Sequence, residues 1–128
     1  MFAPVKLFSK VIGSKIEIGD NTRIHGSCIH AQKSISIGKN CLIADNCQIF
    51  DSSGHTLSEQ NRLDVSVEAK EIIIEDNVWL GTGVIVLPGS ILKKGTVVSA
   101  GSVVRGTFEE KSLVAGNPAK FIKIIGSI

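Results

Sequence analysis

At 128 residues the chain has room for one domain with its own core and little more. A net charge of +2, with the basic residues scattered, excludes a nucleic-acid-binding stripe, and no run approaches the 18 uninterrupted apolar residues of a membrane span. Only 5% of residues are aromatic and none is Tyr, which fits a narrow interior filled by Ile, Val, Thr and Cys.

The first segment, residues 1–11, is basic and apolar but lacks both a long apolar core and a cleavage site. It reads as an N-terminal cap and not as a signal peptide. A period of six follows. It runs through Ile12, Ile18 and Ile24, slips by one residue to Ile37, Ile43 and Ile49, and continues through Ile74, Leu80, Val86, Leu92, Val98 and Val104. Neither a helix, with period 3.6, nor a flat strand, with period 2, produces that spacing. It is the signature of a hexapeptide solenoid, an all-β parallel helix in which three hexapeptides make one triangular coil. Coil starts fall at Ile12, Ala31, Ile49, Ile74 and Leu92, 18 residues apart except for one extra residue in the first coil and seven in the third. The reading predicts about five coils over 12–109 and a C-terminal cap over 110–128.

Two further registers share this lattice. Four residues after each anchor stands a small or aliphatic residue, among them Thr22, Cys28, Cys41, Cys47, Val78, Ser90 and Ser102. It lies two positions before the next anchor, so both point inward on a strand. Three residues after most anchors stands Asn or Gly, as at Asn21, Gly26, Asn40, Asn46, Asn77, Gly83, Gly89, Gly95 and Gly101. These residues best tolerate the positive φ that a tight corner needs. The register places Cys28, Cys41 and Cys47 inside the coil, with Cys28 stacked on Cys47. Free buried thiols without CxxC spacing fit a reducing cytoplasm better than a zinc site.

The regularity breaks at 54–71, a mostly polar insertion that opens with His55. A loop thrown from a rigid coil is a natural carrier of a reactive group. The positions just before the anchors point outward. In the last coils they are apolar: Trp79, Ile85, Ile91, Val97 and Val103. In the first coils they are Glu17, Arg23, Ser36 and Gln48, with Ile29 and Leu42 as exceptions. A contiguous outward apolar seam predicts self-association, and two such faces meeting at one corner suit a cyclic trimer.

Three segments carry a family likeness: NCLIADNCQI leading to SSGHTLSEQNR, IIIEDNVWLGTGVIVLPGSILKKGTVVSAGSVV, and SLVAGNPAKFIK. From Ile37 to Lys123 the chain resembles the hexapeptide-repeat O-acetyltransferases of the maltose/galactoside and polysaccharide kind. The resemblance implies a left-handed β-helix and a homotrimer with acetyl-CoA bound between neighbouring subunits, and no metal. His55 matches the family's general base. The N–H of Thr82 matches the donor to the thioester carbonyl. Ala100, Arg105, Gly106, Lys120 and Lys123 match cofactor contacts, the last two near the nucleotide phosphates. Trp79 resembles an aromatic of the acceptor cleft, and His25 falls at or beside another acceptor position. The acid that galactoside-type enzymes present to their acceptor has no counterpart at Ala31-Gln32-Lys33. The resemblance therefore implies acetyl transfer to a sugar-like hydroxyl, or less readily an amine, and leaves the acceptor open.

Two other classes compete. One is a non-catalytic trimeric β-helix used for binding or assembly. The other is a metalloenzyme like the γ-carbonic anhydrases, built on His25, His30 and His55; here their spacing runs in the reverse order.

Overall fold

The structure is a computed structural model that describes residues 4–9, 11–65 and 68–126. The parts of the expected cap, loop and tail at 1–3, 10, 66–67 and 127–128 lie outside the described residues. The described chain contains strands and turns only, arranged as a parallel β-helix with three faces. The first face stacks β1 (Lys6–Ser9), β4 (Cys28–Ala31), β7 (Gln48–Phe50), β10 (Ile85–Val86) and β13 (Val103–Val104). The second stacks β2 (Lys15–Ile18), β5 (Ser34–Ile37), β8 (Ile72–Ile74), β11 (Ile91–Leu92) and β14 (Thr107–Phe108). The third stacks β3 (Arg23–Ile24), β6 (Leu42–Ile43), β9 (Trp79–Leu80), β12 (Val97–Val98) and β15 (Ser112–Gly116). On this last face β16 (Ala119–Ile124) folds back antiparallel on β15.

The anchors from Ile37 to Val104 form the core, each at most 2% exposed. The small inward residue, four positions after the anchor and three at Ser27, does more than fill space. Thr22 Oγ1 donates to the Gly38 carbonyl at 2.6 Å, Ser27 Oγ to that of Ala44 at 2.9 Å and Cys47 Sγ to that of Gly81 at 3.3 Å. Ser90 and Thr96 likewise donate to carbonyls of the following rung, at Val104 and Glu109. These groups satisfy main-chain carbonyls that the corners bury. The corners take the expected left-handed backbone, with φ near 60° at Asn21, Asn40, Asn46 and Asn77 and 72–81° at Gly83, Gly89, Gly95 and Gly101. Gly26 does not share it.

Several register assignments change. Ile12 is not an anchor. It lies fully exposed in a turn, closed by the Ser14 N–H on the Val11 carbonyl, and Ser9 is the residue opposite Ala31. The segment expected to cap the solenoid thus supplies its first strand, β1. On the next rung Ile29, which the outward register counted as an exception, is the true anchor: it is 0% exposed and pairs with Ile49. One position earlier in phase, Cys28 faces outward opposite Gln48, and Ser27 holds the inward slot by accepting the Cys47 N–H at 3.0 Å. Cys28 therefore does not stack on Cys47.

The insertion is also longer than the spacing indicated. Ile37 stacks on Ile74, Ile43 on Leu80 and Ile49 on Val86, a separation of 37 residues where a plain coil takes 18. The insertion is 19 residues, and Ile49 and Ile74 lie on different faces. A period of six fixes an insertion only up to multiples of six, and 7 and 19 share a remainder.

These positions predict the order of thiol reactivity. Burial raises the pKa of Cys41 and Cys47 above the ordinary 9.0, whereas Cys28 is half-buried on the outer surface. The thiolate is the reactive form. Alkylation of native protein followed by mass mapping should therefore modify Cys28 first, and Cys41 and Cys47 only on unfolding. Equal labelling of all three would overturn the register.

Candidate active site

Two edges of the first face carry the candidate residues. The insertion leaves at the end of β7, at the corner between the first and second faces. Its neck is built on Asp51, which is fully buried. The carboxylate accepts three main-chain N–H groups from the corner one rung below, those of Gln32, Lys33 and Ser34, at 2.7–2.8 Å. The Asp51 carbonyl accepts the Lys70 N–H at 2.9 Å, where the chain returns from the loop, and the Lys70 carbonyl accepts the Gly89 N–H at 3.1 Å. One side chain thus ties the departing chain to the rung below, and its main chain ties it to the returning strand. Nothing in the hexapeptide lattice pointed to Asp51; its place immediately before the break was the available signal.

Beyond this neck the chain turns through Gly54, at φ 82°, with the Gly54 N–H donated to Ser52 Oγ at 3.1 Å. His55 then pairs with Val65 across the loop in an isolated antiparallel bridge, and Ser53 Oγ donates to the His55 carbonyl at 3.0 Å. Its backbone is held while its side chain stays exposed. Beside it the outer surface of the first face forms a cleft of about 270 Å³, lined by Cys28, His30, Gln32, Gln48, Phe50 and Ser53 among others.

The other edge, between the third and first faces, carries Thr82 and Ala100. They occupy the same corner on successive rungs, since the Gly101 N–H donates to the Thr82 carbonyl at 2.8 Å. The Thr82 N–H meets no acceptor among the described residues. Gly81 permits this corner: a Cβ there would lie 2.7 Å from the Ala100 nitrogen. Lys120, opposite Ala115 on β16, extends the same edge, and Lys123 lies opposite Leu113. Both lysines are exposed, and neither forms an ion pair among the described residues.

One chain therefore does not gather all the predicted groups. Thr82 precedes β10 while His55 follows β7, so they stand at opposite ends of the first face, on the order of 15 Å of strand apart. Arg105 and Gly106 follow β13 and lie at the His55 edge, not with Ala100 and Lys120. Trp79 is half exposed on the outside of the third face, between Leu42 and Val97. His25 lies at the Thr82 edge, two rungs below Gly81 in the same column of corner N–H groups. Lys93, at the remaining edge between the second and third faces, is bound to Glu109 at 2.8 Å, which raises its pKa. Among the described residues no three His, Cys, Asp or Glu side chains converge as metal ligands within the chain.

Comparisons with known proteins agree with this architecture. Residues 71–106 match the bacterial transferase hexapeptide (six repeats), and residues 15–50 match the hexapeptide repeat of succinyl-transferase. The chain is 32% identical over 123 residues to the galactoside O-acetyltransferase of Lactococcus lactis, covering 80% of this chain and 59% of that one. Among solved structures it is similar to the hexapeptide-repeat acetyltransferase VCA0836 of Vibrio cholerae, with TM-score 0.80, 32% identity and coverage of 88% of this chain and 64% of that one. It is similar also to a galactoside acetyltransferase in complex with coenzyme A, with TM-score 0.83, 29% identity and coverage of 95% and 64%. The chain belongs to the hexapeptide-repeat transferase family. It spans about 58–60% of the length of the curated relatives it matches first.

The Asp51 neck carries a prediction of its own. Asp51→Ala leaves three corner N–H groups without their acceptor, at about 1–3 kcal/mol for each buried group. Thermal unfolding should fall by several degrees and hydrogen exchange at Gln32, Lys33 and Ser34 should accelerate. An unchanged melting temperature would show that the neck is held by other means.

Proposed function

We propose that this chain transfers an acetyl group from acetyl-CoA to a hydroxyl of a sugar-like acceptor, with His55 as general base. The observation that carries the reading is His55 itself: its side chain is exposed, its main chain is held by the bridge to Val65 and by the Ser53 hydroxyl, and it directly follows Ser53 and Gly54, which line the cleft. The named activities of the galactoside acetyltransferase relatives and the coenzyme A complex among the structural neighbours support it.

The chemistry needs few parts. His55 takes the hydroxyl proton as the oxygen attacks the thioester carbon. The carbonyl oxygen becomes an oxyanion, to which the Thr82 N–H of a neighbouring copy donates. The C–S bond then breaks, and the proton returns to the departing sulfur to give free CoA. A positioned base contributes about 10²–10⁴-fold in rate, and one well-aimed donor about 2.7–4 kcal/mol. No covalent nucleophile is required, in keeping with Cys41 and Cys47 as buried thiols of raised pKa. Lys120 and Lys123 offer unpaired charge to the nucleotide phosphates on the Thr82 edge.

Because His55 and Thr82 stand at opposite edges of one face, the reading requires a neighbouring copy to bring the Thr82 edge of one chain to the His55 edge of another. The outer surface supplies the adhesive. Trp79 stacks on Val97 and Ile85 on Val103, and Phe121, Ile122 and Ile124 are each at least half exposed on β16. A cyclic homotrimer satisfies both demands.

His55→Ala should lower kcat by about 10²–10⁴-fold with CoA affinity unchanged. Activity within about threefold of the parent would remove His55 from the mechanism. Thr82→Ala should retain turnover, since only the main-chain N–H is used, whereas Thr82→Pro should abolish it. Light scattering should report about three times the 13.6 kDa chain mass. Inactive mixtures of His55→Ala and Thr82→Pro chains should regain activity when trimers are re-formed together, because some sites then hold one intact residue from each parent. Absence of rescue, with trimers formed, would place both residues in the same chain's site.

A further inference from the structure

We infer that the open lower end of the solenoid is a docking surface for a second copy of this chain, joined end to end about a two-fold axis through Ile16. The inference goes beyond the transferase reading and does not depend on it.

The two ends of the stack differ. At the upper end β16 folds back on β15. At the lower end β1, β2 and β3 are each the last strand of their sheet, paired on one side only among the described residues. The Lys15 and Gly19 N–H groups donate upward, to the carbonyls of Lys33 and Ile37. Main-chain groups alternate along a strand, so those of Ile16 and Ile18 turn to the open side. The inward side chains here lack the cover that the next rung has. Ile18 is 38% exposed and Leu7 52%, whereas their partners Ile37 and Ile29 are 2% and 0% exposed. Val5, Val11 and Ile12 add exposed apolar surface at the same end. Open hydrogen-bonding groups beside an apolar patch are a template for another strand.

Charge selects the strand that fits. β2 reads Lys-Ile-Glu-Ile, with Lys15 and Glu17 outward and 3.2 Å apart. Both side chains are well exposed, so this pair holds them weakly and leaves them to be shared. Residues opposite one another in a sheet point to the same side, so a second β2 laid antiparallel beneath the first pairs about a residue and not about a peptide bond. Centring on Lys15 or on Glu17 sets like charge on like. Centring on Ile18 sets Glu17 against Gly19 and Lys15 against Asn21, and matches neither charge. Centring on Ile16 sets Lys15 against the second copy's Glu17, and Glu17 against its Lys15. It also puts the downward main-chain groups of Ile16 at the hydrogen-bonded centre. A two-fold through the middle of one side of a triangle exchanges the other two sides. The same operation therefore lays β1 along β3 of the second copy, and all three sides of the coil gain a partner. The contact is self-complementary and closes with two ends.

One coil end is a small surface, so the contact is weak and forms at high protein concentration. Raising the parent chain from about 1 μM to about 1 mM, a range that spans the affinities of small interfaces, should double the mass reported by light scattering. Lys15→Glu and Glu17→Lys chains should each keep the lower mass throughout, since either change alone sets like charges opposite in both pairs. Mixed one to one, the two variants should double in mass as the parent does, because the acidic end then faces the basic one. The chain carrying both changes should double as well. Rescue in the mixture shows that each single variant is folded. A constant parent mass over this range overturns the inference, as does doubling by either single variant or no doubling in the mixture. The starting mass reports separately on the trimer. Three chains rising to six support both contacts, whereas one chain rising to two removes the trimer and leaves the end contact standing.

Discussion

The vertical spacing of the rungs governs everything else in this molecule. Main-chain N–H groups of one coil donate to carbonyls of the next at about 2.7–3.2 Å, at the corners as well as along the strands. That distance leaves no space for a Cβ at Gly19, Gly38 or Gly81, each of which would press on main-chain atoms of the neighbouring rung. It also forces the inward side chains into columns, Ile43 on Leu80 on Val98 on Val114. A stack so tight can hold only aliphatic residues and small hydrogen-bonding ones. The low aromatic content is a consequence of geometry before it is a fact of composition.

The same constraint explains what could be read from the chain and what could not. Anchor periodicity, left-handed Asn and Gly corners and the outward apolar seam all repeat every six residues, so the solenoid from Ile37 onward was legible. Periodicity carries no information about whole multiples of its own period, and that is why the insertion was undercounted. The first coil misled for a different reason. At an open end fewer neighbours enforce the phase, so Ile12 falls in register by sequence and lies in water. Cys28 was misplaced because Ser27 and Cys28 are both small enough for the inward slot. The hydrogen bonds of Ser27 to Ala44 and Cys47 decide between them, and those require three dimensions.

For the candidate site, individual residues were legible and their grouping was not. Likeness to known motifs singled out His55, Thr82, Ala100 and Lys120 one by one. Chain topology then sorts them onto two edges, since a residue after a strand of the first face and a residue before the next strand of that face cannot meet across it. Asp51 escaped notice because its task is architectural. Its buried carboxylate side chain acts as a hinge pin for the loop, and it does so with main-chain partners that no residue pattern records.

The neck at Asp51 and Lys70 also separates two kinds of variability. Above it, rung pairs such as Ile43 with Leu80 close over the insertion as though it were absent. The entropy of closing a loop grows slowly, by about 0.6 kcal/mol for each doubling of length. Segments between the neck residues can therefore be lengthened, shortened or exchanged while the stack keeps its register. The scaffold behaves as a socket with fixed pins, and the lip of the cleft is its replaceable part.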